Sequence, residues 1–299
     1  MKKAFTMLEL VMVIIILGIV ASIGADIIVA LYDNYIRART INALESKTEI
    51  TLEQIAKRFQ YRIKSSTIAR QFGGNFISVS NPLLDNSYPI IEWIGYSNES
   101  FLGTPRPGWS GFIDMDHNDT NTTSQTLRTT DSNLTLASNI ISALTNANVD
   151  LTVGGDEAAL VFKQPWNIGD FGWGAAGNAD GNATVRVIRL NDEVFQITEA
   201  TLPDEIREQY YLAHTAYAIV PEGDIAAEDF NLTLYYNYQP WMGEEYNNIG
   251  TSRFPLVEHA NLFHFRQDQT LLRFKLCIHD NNESGVGERV VVCKEKVVY

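Results

Sequence analysis

The longest feature of the hydrophobic pattern lies at the N-terminus. From Leu10 to Ala25 sixteen consecutive residues carry no charge, and from Phe5 the run extends to twenty-one with Glu9 as its single interruption. A segment of that length crosses a bilayer as a helix. After Asp26 the apolar character resumes and passes into a stripe in which Ile41, Leu44, Thr48, Leu52, Ile55, Phe59 and Ile63 recur at steps of three or four. That spacing marks one face of an α-helix, and Arg37, Arg39, Glu45, Lys47, Glu49, Lys57, Arg58 and Arg62 mostly occupy the other positions. No Pro or Gly interrupts the chain between Ala25 and Gln71, and Gly73 with Gly74 supplies the stop signal. The pattern predicts a helix from Phe5 to about Arg70, about 100 Å long if unbroken.

From about Phe76 the period shortens to two, in short runs punctuated by Gly, Pro, Asn and Asp. ATVRVIRLNDEVFQITEA reads as a hairpin turning at Asn191 and Asp192, and FNLTLYYNYQ and NLFHFRQDQTLLRFKLCI read as further strands. In the last of these Leu272, Phe274, Leu276 and Ile278 share one face while Arg273, Lys275 and Cys277 share the other. The expected fold is α+β, with the N-terminal helix laid against a β-rich domain.

Charge narrows the function. With Lys+Arg 23 against Asp+Glu 36, the 299-residue chain carries a formal net charge of −13, and its basic residues are scattered. Nucleic-acid binding needs a dense basic footprint, so that class is disfavoured. Lys2 and Lys3 before the apolar run place the N-terminus in the cytoplasm and send the rest outward. Small residues at 21–25 (ASIGA) also fit an ordinary secretory signal cleaved there, but the apolar pattern continues past them. In an exported chain the two cysteines, Cys277 and Cys293, read as one structural disulfide; the alternative is a pair of reduced thiols. A hairpin centred on Gly285 brings them opposite one another, and closing a loop of this length contributes about 3 kcal/mol.

KKAFTMLELVMVIIILGIVASI resembles the class III signal of type IV pilins and type II secretion pseudopilins: a short basic leader, a small residue, Phe, and Glu five positions into the mature chain. The resemblance covers about 25 residues and departs from the family's usual Gly at Ala4. It implies cleavage by a prepilin peptidase between Ala4 and Phe5, N-methylation of Phe5, and a role for Glu9 as charge partner of a neighbouring subunit's new amino terminus. It also implies a division into a leader (1–4), a transmembrane helix half (5–25), an amphipathic half (26–72) and an exported β-rich domain (73–299). The implied setting is the inner membrane, crossed once, with the domain in the periplasm or in a filament. The implied partners are other pilin or pseudopilin subunits, the peptidase and an inner-membrane assembly platform. LFHFRQDQTLLRFKLCI is similar to the C-terminal region of J-type minor pseudopilins, and the large size points to a minor subunit. Glu9 speaks against the K-type tip subunit, which lacks it. An adhesive or DNA-uptake pilin is the related alternative.

A membrane-anchored periplasmic enzyme is the distant alternative. The sequence holds no HExxH, GxSxG, P-loop or GxGxxG before a helix, so no enzymatic activity and no cofactor are expected. Asp114, Asp116 and Asn118 alternate like the start of a calcium loop, but Asp119 and Gln125 stand where an EF-hand needs Gly and Glu. An irregular calcium site and a solvated turn are the two readings of that stretch. The five histidines show no mutual pattern, and the glycine-rich stretch with Trp166 and Trp173 suits a long loop, with sugar stacking by the tryptophans as the lesser alternative. Seven N-x-S/T sequons occur, and at Asn118, Asn121, Asn133, Asn182, Asn231 and Asn282 an Asp stands two residues earlier. That arrangement is similar to the extended acceptor of bacterial N-glycosylation; enrichment of Asp and Asn in turns accounts for it equally simply.

Overall fold

A computed structural model describes residues 6–152, 156–174, 183–199, 205–248, 250–281 and 289–299. Helix α1 runs over Met7–Phe59, 53 residues, or about 80 Å. It is followed by strands β1 (Ile68–Arg70), β2 (Phe76–Ser78) and β3 (Ile90–Tyr96), the short helix α2 (Asn98–Phe101), β4 (Thr126–Arg128) and helix α3 (Leu134–Leu144). Then come β5 (Val149–Asp150), β6 (Asp156–Phe162), β7 (Thr184–Arg189), β8 (Val194–Ile197), β9 (Tyr210–Asp224), β10 (Asp229–Tyr238), β11 (Ser252–Asp268), β12 (Leu271–His279) and β13 (Val291–Val298). The α+β expectation holds: a long apolar helix and a large, mainly antiparallel sheet.

The main path of the sheet is β13-β12-β11-β10-β9-β6-β7-β8-β4. Strand β9 is its pivot. Its first residues pair with β6, Leu160 opposite Leu212, its middle pairs with β3, Ile91 opposite Ile219, and along most of its length it pairs with β10. One core therefore forms where α1 lies on β10, β11 and β12, and a second where α3 covers β6, β7 and β8. On the opposite face, Trp173, Tyr238 and Trp241 fill a third.

Helix α1 ends eleven residues earlier than about Arg70, the end expected from its lack of Pro and Gly. Tertiary pairing overrides local propensity there. Arg62 bridges Gly95, the Ile63 N–H donates to the Ile94 carbonyl at 2.8 Å, and Ile68–Arg70 become a strand beside β3. The Arg62 guanidinium caps the helix end, donating to the Phe59 carbonyl at 2.8 Å, and reaches the Tyr299 carbonyl at 3.4 Å. Its burial lowers its pKa to about 10. Leu44, Thr48, Leu52, Ile55 and Phe59 of the predicted stripe are buried; Ile63 is buried too, but beyond the helix. Phe59 anchors the seam, its ring centroid 4.1 Å from that of Trp93 and 5.6 Å from that of Phe274. Lys294 and Lys296 of β13 reach Glu49 and Glu53 at 3.0 and 2.9 Å.

The sheet follows its sequence pattern. Strands β7 and β8 form the expected hairpin through Asn191 and Asp192. In β12 Leu272, Phe274, Leu276 and Ile278 are buried while Arg273 and Lys275 are exposed, and Cys277 is buried against its partner. Helix α3 lies inside a region expected to be strands and loops, capped by the Asn133 Oδ1, which accepts from the Leu136 N–H at 3.0 Å. Trp173 is a core residue, not a sugar platform: its indole donates to the Ser66 carbonyl at 3.1 Å. Trp166 is half-buried and donates to the Phe162 carbonyl at 2.8 Å.

His214 in β9 is buried, and burial lowers its pKa from 6.5 to about 4. Above pH 6.5 the ring is neutral in both folded and unfolded chains. Below it the unfolded chain takes up a proton that the folded chain refuses until about pH 4, so stability falls as pH falls. Between pH 7.5 and 5 this removes about 2 kcal/mol. Denaturant melts at the two pH values should show that loss, and His214→Leu should abolish this component. An equal loss in the variant would assign the acid sensitivity elsewhere.

Candidate functional site

The feature that the domain's own packing does not use is the first part of α1. Thr6 is the N-cap, and its Oγ1 accepts from the Glu9 N–H at 3.4 Å. The Glu9 carboxylate returns to Thr6, accepting from its N–H at 3.0 Å and its hydroxyl at 2.9 Å. This reciprocal capping box satisfies donors that a helix start otherwise leaves open. Beyond it no residue from Met7 to Ala43 is buried, and Leu44 is the first that the β domain covers. Apart from Glu9 and Asp26, Met7 through Leu31 present an apolar surface on all sides, including Leu8, Ile14, Ile19, Ile23 and Ile27. This is one helix long and apolar enough to cross a membrane.

Two tasks thus divide one continuous helix. The C-terminal half is fixed by Phe59, the lysine pairs of β13 and the Arg62 cap; the N-terminal half projects free. A helix that is hydrophobic all round belongs in lipid or among other helices.

Ala4 and Phe5 lie outside the described residues, as do Asn182 and Asn282. Glu9 was expected to find its partner on another subunit, yet in the single chain Thr6 already occupies it. Cys277 and Cys293 stand directly opposite in β12 and β13 and are joined, with Cα atoms 4.0 Å apart. Asp114, Asp116 and Asn118 lie on a turn that closes on itself: the Asp114 Oδ1 accepts from the Asp116 N–H at 3.2 Å, and Asp116 and Asn118 are exposed. Asp114 and Asp116 are not among the described groups whose ligand atoms converge. Of the sequons, Asn118, Asn121 and Asn231 are exposed, whereas Asn133 is committed as the α3 cap.

Sequence reasoning missed one constellation. The histidines, read as mutually unrelated, include two that converge with Asp229, so that Asp229, His259 and His279 bring their side chains together across β10, β11 and β12. The signal was available in the strand register: Ala260 pairs with Ile278, which sets His259 beside His279. The His259 imidazole hydrogen-bonded to Asp229, with the His279 ring nearby, holds that carboxyl below its usual range.

Compared with known proteins, the chain matches no family model, no curated protein and no solved structure.

Proposed function

We propose that this protein is a membrane-anchored, pilin-like structural subunit of a type II secretion pseudopilus or a type IV pilus. The observation that carries the reading is the uncovered apolar stem from Met7 to Leu31, continuous with a helical half docked on the sheet by one face. Glu9 near the start of that stem supports it, together with the signal-like residues around Ala4 and Phe5. The stem rests in the inner membrane before assembly and joins the filament core afterwards, while the β domain faces the periplasm or the exterior. In this reading the machinery is assembly, not catalysis. Removal of residues 1–4 creates an ammonium group at Phe5, and a carboxylate one helical turn away on a docking partner neutralises it. For Glu9 to do so it must exchange its hydrogen bonds to Thr6 for that charge.

Mass spectrometry of the protein isolated with and without an active prepilin peptidase tests the proposal. The expected change is loss of the first four residues and gain of one methyl group, only where the peptidase is present. An unchanged mass in both would overturn it.

A further inference from the structure

The constellation of Asp229, His259 and His279 has the donor chemistry and the orientation of a metal site. His279 is the last residue of β12, and its side chain is 0% exposed. Its Nδ1 lies 2.7 Å from the Asp280 carbonyl oxygen. That oxygen only accepts, so Nδ1 carries the proton, and in the neutral ring the Nε2 lone pair is left bare. Nε2 is buried, has no hydrogen-bond partner among the described residues, and lies 3.3 Å from Asp229 Oδ1. With the ring neutral, two acceptors face one another there, an arrangement relieved by a bound cation or by a second proton on the ring. The arrangement in which one ring nitrogen donates to a backbone carbonyl is the one that orients ligating histidines in metal sites.

The other two groups complete a triangle. His259 Nδ1 is 3.0 Å from the same Asp229 oxygen, and the ligand atoms of all three residues lie within 4.8 Å of one another. Ligand atoms around a tetrahedral zinc at 2.0–2.1 Å stand about 3.3 Å apart, close to the 3.0 and 3.3 Å that separate the Asp229 oxygen from the two imidazoles. His259 adopts a left-handed φ of 60°, and the pairing of β11 with β12 shifts register between Ala260 and Leu262. A bulge next to a site re-aims a side chain that regular alternation would point elsewhere.

We propose that Asp229, His259 and His279 bind one divalent transition-metal ion of the zinc type. Two imidazole nitrogens and one carboxylate suit zinc and disfavour calcium and magnesium, which take oxygen ligands. Asp229 and His259 are 37% and 30% exposed, so a fourth position is open to water. Each ligand comes from a different neighbouring strand, so the ion clamps β10, β11 and β12 together at one end of the sheet that carries α1.

The test uses tag-free, full-length protein in detergent, stripped with a chelator and titrated with cobalt(II), then with zinc(II) in competition. One equivalent of cobalt should give visible absorption of tetrahedral intensity, bleached by zinc and left intact by a large excess of calcium. Asp229→Asn and His259→Asn, the latter tolerant of the left-handed backbone, should each weaken zinc binding by about 100-fold or more. Both leave the buried His279 in place, and circular dichroism matching the parent checks that they fold. Absence of the cobalt bands, displacement by calcium, or equal affinity in parent and folded variants would each overturn the proposal.

Discussion

Replacing Glu9 with Leu is expected to leave the protein inserted and processed but to reduce its entry into filaments by about 100-fold. The size follows from the cost of leaving one charge unpaired in hydrocarbon, about 2.5–3.5 kcal/mol, at about 1.4 kcal/mol per factor of ten. Two effects of the substitution oppose one another in the single chain. The capping box with Thr6 is lost, at a cost of about 1 kcal/mol, while a leucine enters the apolar segment more readily than a carboxylate. The cap is too small to mask the loss of a charge partner, and the easier insertion of leucine acts on the single chain and does not supply the neighbour's amine with a counter-charge. Thr6→Ala separates the two roles, because it removes the hydroxyl half of the box and keeps the carboxylate. It should assemble at least as well as the parent, since Glu9 then has less to give up. Quantitation of sheared filaments against the membrane pool reads both variants. Normal incorporation of the Glu9 variant, or a Thr6 variant equally defective, would remove the docking role.

Arg70→Met should destabilise the β domain by about 3–5 kcal/mol, the usual cost of stranding one member of a buried ion pair. Arg70 donates from Nε to Glu92 and from a second guanidinium nitrogen to the Trp173 carbonyl at 2.9 Å. The other Glu92 oxygen accepts from the Tyr238 hydroxyl at 2.8 Å. Glu92 is fully buried, and burial pushes its carboxyl up against the opposing pull of Arg70 and Tyr238. Without the guanidinium only the Tyr238 hydrogen bond opposes burial, and the domain must either protonate the acid or open. Arg70→Met combined with Glu92→Gln should recover most of the loss, since an amide keeps the tyrosine bond and carries no charge. Denaturant titration followed by tryptophan fluorescence measures all three proteins. A loss under about 1 kcal/mol for the single variant would mean that the pair does not hold the core.

Much of this architecture was readable from the residues alone. The stripe from Leu44 to Phe59 named the docked face of α1 correctly, because apolar positions at a period of 3.6 over four turns line up on a single helical face. The alternation in β12 and the opposition of Cys277 and Cys293 were equally plain. What failed was non-local. The end of α1 is set by Gly95 and Ile94 in β3, which no inspection of residues 60–70 shows. Arg70 and Glu92 read as ordinary charges until the sheet brings them together away from water. The histidine pair required knowing the β11 to β12 register, and its third member sits on another strand again.

The link between Cys277 and Cys293 has a mechanical meaning for a domain carried on one projecting helix. Helix α1 is tied to β13, the edge strand, by Lys294 and Lys296, so part of any tension between the helix and the domain reaches that strand. An edge strand under load peels one rung at a time. Here the covalent rung is the third residue of eight in β13, so peeling from Val291 stops after two pairs and from Val298 after five. The share of a pulling force that reaches β13 is thereby handed covalently to β12, the next strand in, instead of unzipping the edge.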